Sequence, residues 1–302
     1  MVAFYALAVY FAFRRWRKGR PQRRWVSRLE WAVYGVALIG AICILYAYYV
    51  EPYWPQVTHV SLHSSKLPPG SHLRIVHFAD LHSDGKVRLE KRLPGIIRDQ
   101  HPDLITFAGD TVVRREGVPL AQEVFSQLSA IAPTYVVLGN WDVDMAQKWN
   151  QSFQDPSFFS GTGVHNLSAQ ADSIQIRGIP LWIAGAATNQ EYLLPSLLAT
   201  APPDQYSILV FHFPDEVETV QQDKIDLYLA GHTHCGQIDL PFYGALITYS
   251  KYDKKYERGL HAIGNSWIYV NCGIGLEGHP PRARFLARPE ITVIDLSSES
   301  VK

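Results

Sequence analysis

Five short polar clusters carry side chains that bind cations: Asp80-x-His82, Gly109-Asp110, Gly139-Asn140, His212, and Gly231-His232-Thr233-His234. Carboxylate, amide and imidazole are the oxygen and nitrogen donors of divalent metals, so the chemistry of such a set is that of a bound divalent cation. Each cluster is weak by itself. Asp-x-His recurs by chance, Gly-Asp is commonly a turn, and a lone histidine at a strand end is more often structural. What joins them is position, because each follows a short apolar run. Residues 73–78 lead into Asp80-Leu81-His82, residues 104–108 into Gly109-Asp110, and residues 135–138 into Gly139-Asn140. Glycines before Asp110, Asn140 and His232 suit tight turns that bring backbone close to an ion. The set reads as one metal site.

The apolar runs are strands, and what separates them is helical. Leu89, Leu93, Ile96 and Ile97 recur at helical spacing between the first two runs, and Leu120, Val124 and Leu128 between the next two. Further strands are expected at 179–185, 206–211, 225–230 and 267–270, and a closing one at 291–296. Repeated βαβ units bring the carboxyl ends of strands to one edge of a sheet, which is where α/β proteins build their sites. The fold class is α/β.

At these residues the family is recognisable. The strings HFADLH, FAGD, LGN, FHFPD and AGHTHCGQ, from about His77 to Ile238, resemble the calcineurin-like metallophosphoesterases. KYDKKYERGL and RFLARPEITVIDL resemble that family's bacterial membrane-associated phosphodiesterase branch, itself similar to the enzymes that cleave UDP-2,3-diacylglucosamine. The resemblance implies two mixed β-sheets flanked by helices. It also implies two divalent metals bridged by Asp110, with Asp80, His82 and His234 completing the first and Asn140, His212 and His232 the second. Two carboxylates against two dications leave a positive centre that attracts a phosphate oxygen and acidifies a water for in-line attack on phosphorus. Mixed donors of this kind suit Mn²⁺, Fe or Zn²⁺ better than Mg²⁺ or Ca²⁺. The expected activity is hydrolysis of a phosphodiester or pyrophosphate bond. A UDP-2,3-diacylglucosamine diphosphatase and a silent metal-binding member of the fold are the alternatives.

One residue departs from the pattern. The family's asparagine is usually followed by a histidine that contacts phosphate and helps protonate the leaving oxygen, whereas this chain reads Gly139-Asn140-Trp141-Asp142. An indole N–H donates a hydrogen bond but does not shuttle a proton at neutral pH. Trp141 therefore predicts a preference for leaving groups that need little protonation, with the indole either contacting substrate or filling the histidine's space. Asp142 is expected to orient a loop or ligand. Arg114 and Arg115 read as a solvated pair more often than as phosphate contacts, and Lys254, Lys255 and Tyr256 as a basic loop for which the resemblance makes a substrate role the lesser alternative. Cys235 reads as a small filler, with no reliance placed on a bond to Cys272.

Composition adds a second object. The 302 residues balance 28 basic against 28 acidic side chains, but residues 1–50 hold eight of the basic residues and only Glu30 among the acids. The remainder is acidic and ill suited to binding nucleic acid. Trp31 to Val50 is an uncharged run long enough to span a bilayer as a helix, flanked by Trp25 and Trp31 at one end and Tyr46, Tyr48, Tyr49, Tyr53 and Trp54 at the other. An uncleaved anchor is the expectation over a signal peptide. Paired arginines resemble a twin-arginine signal, but no small-x-small cleavage site follows. The positive-inside rule sets residues 14–28 in the cytoplasm and the rest outside. Residues 1–13 are either an interfacial helix or the first arm of a hairpin. The organisation read here is an anchor over 1–50, a proline-rich tether over 51–70 and a catalytic unit over 71–297. Its expected partners are the membrane and a phosphate-ester or pyrophosphate substrate, lipid-linked substrates included.

Overall fold

The computed structural model describes residues 2–19, 24–223 and 225–298 and divides into two units, residues 1–50 and 51–302. The first unit is a pair of helices, Val2–Lys18 and Arg24–Tyr49. The opening run is helical as far as Lys18 and packs on the longer helix. Arg14 and Arg15 approach the buried Glu30 at 3.4 and 3.7 Å, and the Arg15 guanidinium lies 5.3 Å from the Trp31 ring. Among the described residues, one helix is long and apolar enough to cross a membrane, the one that starts at Arg24.

The second unit stacks two six-stranded sheets between helices. The first sheet runs Gln56–His63, Glu290–Ser297, His72–Phe78, Leu104–Phe107, Thr134–Val136, His165–Asn166. The second runs Gly259–Ile263, Ser266–Val270, Leu227–Ala230, Tyr206–Val210, Ile179–Gly185, Gln170–Ile176. Both are mixed. In the first, His72–Phe78, Leu104–Phe107 and Thr134–Val136 are parallel, while Glu290–Ser297 runs antiparallel to His72–Phe78.

Strands covered on both faces read as predominantly apolar runs, as Leu104–Phe107 and Tyr206–Val210 do, each buried throughout with one small hydroxyl residue, Thr106 or Ser207. Alternate side chains then fill separate layers. Ile75, Leu104, Val137 and Ile294 meet Leu181, Ile208 and Leu229 between the sheets. Val76, Phe78, Phe107 and Val293 face the helix Val118–Ser129 through Val124, Phe125 and Leu128. Leu209, Tyr228 and Val270 face Leu194, Leu198 and Val220 on the far side.

The tether is corrected in part. Residues 56–63 form an outer strand of the first sheet, parallel to 290–297, with Leu62 buried between the sheets. Pro52, Pro55, Pro68 and Pro69 flank it, which hides an eight-residue strand inside a segment that reads as extended linker.

Candidate metal centre

Five of these strands end in the loops that carry the seven ligand candidates, and all five loops converge. His72–Phe78 delivers Asp80 and His82, and Leu104–Phe107 delivers Asp110. The loop after Thr134–Val136 turns directly into a helix, Asn140–Lys148, whose first residue is the candidate. Tyr206–Val210 delivers His212, and Leu227–Ala230 delivers His232 and His234. The loops are laced together, with Asp80 N–H bonded to the Gly109 carbonyl at 2.9 Å, His82 N–H to Asp110 at 2.9 Å and Gly231 N–H to His212 at 3.0 Å.

The backbone is unusual where the ligands sit. Asp80, His82, Asp110, His232 and His234 all hold positive φ, between 44° and 70°. Such residues cost of order 1–3 kcal/mol each and persist where surrounding structure over-determines them, typically at functional sites. Gly139 is required by close approach, since a Cβ there would lie 2.1 Å from Asp110 Oδ1.

Two clusters result: Asp80, His82 and His234 in one, and Asp110, His212 and His232 in the other. In the first, His82 Nε2 lies 3.0 Å from His234 Nε2, which is 3.6 Å from Asp80 Oδ1. In the second, His212 Nε2 lies 3.1 Å from His232 Nδ1 and 3.0 Å from Asn140 Oδ1, which adds the asparagine. Asp110 stands between them. Its Oδ1 accepts the Trp141 backbone N–H at 2.9 Å, leaving Oδ2 at 3.4 Å from His82 Nε2 and 3.3 Å from His212 Nε2.

The donor set fits two cations. His212 donates from Nδ1 to the Ala108 carbonyl at 2.7 Å, which turns Nε2 inward. Burial opposes its charge, but Asp110 and Asp80 hold the ring up at about 9, so a cation bound there would displace the Nε2 proton. Burial keeps His82 and His234 below the usual imidazole range and takes His232 to about 3, so these rings are neutral donors. Burial, reinforced by Asp110, pushes Asp80 up to about 8. Burial also opposes the charge on Asp110, yet His212, His82 and His232 hold it at about 2. Buried lone pairs crowded to 3–4 Å with too few protons between them make a cradle for positive charge.

Asp142 braces the site. It accepts from Thr111 N at 2.8 Å, Thr111 Oγ1 at 3.1 Å, Val112 N at 3.3 Å and Gly139 N at 3.2 Å, tying the Asp110 loop to the Asn140 loop. Burial, with Asp110 nearby, pushes it up to about 7. Trp141 donates its indole N–H to Glu277 Oε1 at 3.0 Å. Arg115 stacks on Trp149 at 5.0 Å, and Lys254 lies over Tyr243 at 3.2 Å. The reading of Cys235 as a filler is corrected: it is bonded to Cys272, closing the loop behind His234 onto the end of Ser266–Val270.

Two neighbours escape sequence reasoning. Glu277 Oε2 lies 3.8 Å from His234 Nε2. Arg284, wholly buried, donates to the carbonyls of Cys272, Gly273, Gly275 and Ala287 and lies 3.2 Å from His234 Nδ1. Both follow a sixth strand end, after Val270. The one available signal is a polar pair, Glu277 and His279, in a Gly/Pro loop at that end.

Comparison with known proteins agrees with this geometry. A model of the calcineurin-like phosphoesterase family matches residues 73–236, more than half of the chain. YkuE of Bacillus subtilis, an uncharacterised metallophosphoesterase, is 34% identical over 291 residues, covering 93% of this chain and 99% of its own. The phosphodiesterase YaeI of Escherichia coli is 30% identical over 259 residues, covering 83% and 92%. A transmembrane protein with a metallophosphoesterase domain from Danio rerio is 26% identical over 283 residues, covering 86% of this chain and 61% of its own. The matched region contains every loop from Asp80 to His234 that the two sheets bring together, and the chain belongs to the calcineurin-like phosphoesterase family, as a phosphoester hydrolase.

Proposed function

We propose that this protein is a membrane-anchored phosphohydrolase that cleaves a phosphodiester or pyrophosphate bond with two divalent metals, Mn, Fe or Zn before Mg. The observation that carries the reading is the position of Asp110, one carboxylate oxygen of which lies within 3.4 Å of an imidazole from each cluster. Asp80, His82, Asp110 and His234 would hold one ion, and Asp110, Asn140, His212 and His232 the other. Bound there, the ions supply Lewis acidity toward a phosphoryl oxygen and a water acidified toward hydroxide. The protein's part is to fix the donors. Asp142 holds the two loops in register, the Trp141 backbone N–H orients Asp110, and the Ala108 carbonyl sets the tautomer of His212.

Anchoring is supported by the long helix, which leaves Leu38, Ile39, Ile42 and Leu45 exposed. An outer location is supported by the basic residues that precede the apolar run and by the Cys235–Cys272 bond, since disulfides persist in oxidising compartments. A lipid-linked substrate is supported by the hairpin of Asp239–Leu240 and Gly244–Ala245. There Leu240, Phe242, Tyr243, Leu246, Ile247 and Tyr249 are exposed, and the last three flank a cavity that His234 also lines. The same apolar rim favours UDP-2,3-diacylglucosamine diphosphatase activity as the second reading, although that substrate is made in the cytoplasm. The test is hydrolysis of bis-p-nitrophenyl phosphate and of UDP-2,3-diacylglucosamine by the purified full chain with Mn²⁺, beside Asp110→Asn. Cleavage of the diester that disappears in the variant supports the proposal. Hydrolysis of neither compound overturns it.

A further inference from the structure

The residue after Asn140 cannot transfer a proton, yet an imidazole packs directly against it. The loop after Ser266–Val270 carries Glu277, Gly278 and His279, and it is seated on Trp141. A Cβ on Gly278 would lie 2.2 Å from the indole, and the His279 ring centroid is 5.1 Å from that of Trp141. Glu277 Oε1 accepts the indole N–H at 3.0 Å and the Gly278 N–H at 2.7 Å, and lies 3.6 Å from His279 Nδ1. The Glu277 N–H is itself held by Gln237 Oε1 at 2.7 Å. Glu277 and His279 line a cavity of about 200 Å³ together with Thr233, His234 and Tyr249. The indole is thus the platform on which a glutamate–histidine pair is placed beside the candidate metal centre.

We infer that His279 is the general acid of this hydrolysis, with Glu277 and Trp141 as its positioning residues. The inference rests on the phosphodiester or pyrophosphate reading above. As the bond from the water oxygen to phosphorus forms, the bond from phosphorus to the leaving oxygen breaks. That oxygen keeps the electron pair and takes the proton of the His279 imidazolium. The attacking water's proton passes to solvent. The neutral imidazole regains a proton from solvent, to which its side chain is 78% exposed. Glu277 on its own loop places a carboxylate oxygen 3.6 Å from His279 Nδ1. His234 lies across the cavity, Tyr249 on the hairpin side, Arg282 is engaged with Asp84, and Trp141 adds no titrating group. The departure at Trp141 then moves the proton donor to another loop instead of removing it, and alkyl leaving groups come within reach.

The test uses the full chain in detergent with Mn²⁺ and a series of methyl phosphate diesters running from 4-nitrophenyl through phenyl to benzyl. His279→Gln is expected to lower kcat/KM for the benzyl ester by about 100-fold, the scale of one general acid, and by far less for the 4-nitrophenyl ester. The alkaline limb of the parent's pH profile on the benzyl ester should vanish in His279→Gln. Glu277→Gln, which keeps the side-chain length but removes the carboxylate beside His279 Nδ1, should lower kcat/KM for the benzyl ester more than for the 4-nitrophenyl ester. Metal content by atomic emission should stay at the parent's value in His279→Gln. Equal losses across the series, or an alkaline limb retained in His279→Gln, overturn the inference. So does a parent that cleaves the 4-nitrophenyl ester but not the benzyl ester, and that outcome leaves the phosphodiesterase reading standing. A parent inactive on every ester overturns both.

Discussion

Asp110 and Asp142 lie 32 residues apart in the chain and differ in function. Asp110 presents one oxygen to both histidine clusters, so Asp110→Asn should lower activity by more than the roughly 100-fold that loss of an outer partner costs. Atomic emission should then find fewer than two ions per chain. Asparagine is the informative replacement, because it tolerates the positive φ of 60° held by Asp110 and isolates loss of charge from backbone relaxation. Asp142 is fully buried and makes four hydrogen bonds. In Asp142→Asn an amide must stand where a carboxylate oxygen accepted an N–H, leaving a buried donor unmatched. Urea unfolding should report a loss of about 1–3 kcal/mol. Activity should fall about 10–100-fold through misplaced ligand loops, and metal affinity should fall with it.

The elements that carry these residues differ in how legible they were. The strands before Asp80, Asp110, His212 and His232 announce themselves because both faces are largely covered, and burial on two sides demands predominantly apolar runs. The helix Asn140–Lys148 does not, since its first turn is spent on Asn140, Trp141 and Asp142 and its amphipathic face is short. The outer strand Gln56–His63 is hidden by its prolines, and Gln170–Ile176 by a polar face open to solvent. The seven ligand candidates were legible as strand-end clusters. Glu277 and Arg284 were not, because an irregular loop has no period and the contacts that give them meaning, to Trp141, Gln237 and His234, come from other segments of the chain.

Two element-scale predictions follow from pairings across strands and loops. The Cys235–Cys272 bond closes 37 residues, for which chain entropy allows up to about 4 kcal/mol, and the double alanine variant should lose stability in that range by urea unfolding. Arg74 and Asp295 face each other across antiparallel strands, bonded at 2.8 and 3.2 Å. Burial works to raise the Asp295 carboxyl, but the guanidinium holds it below the usual range. A depressed carboxyl contributes stability that is fully present above its unfolded value, about 3.9, and is lost as pH falls through the folded one. The stability gap between the parent and Asp295→Asn should therefore be open at pH 6 and close progressively below pH 4.

For the molecule as a whole, the anchored reading predicts that the full chain sediments with membranes and resists extraction by salt. An alkaline phosphatase fused after Lys302 should be active if the catalytic unit is outside, whereas a fused cytoplasmic reporter lighting up would reverse the orientation. The left-handed backbone at Asp80, His82, Asp110, His232 and His234 has a larger implication. Five contorted residues in one small volume are a wound spring, and two cations bound there would be the catch that keeps it shut. Stripping them with a chelator should let the ligand loops open while the sheets stay folded. Limited proteolysis should then cut near Asp80 and His232 at temperatures where far-ultraviolet circular dichroism is unchanged, in which case bound ions would fasten the architecture as well as supply its chemistry.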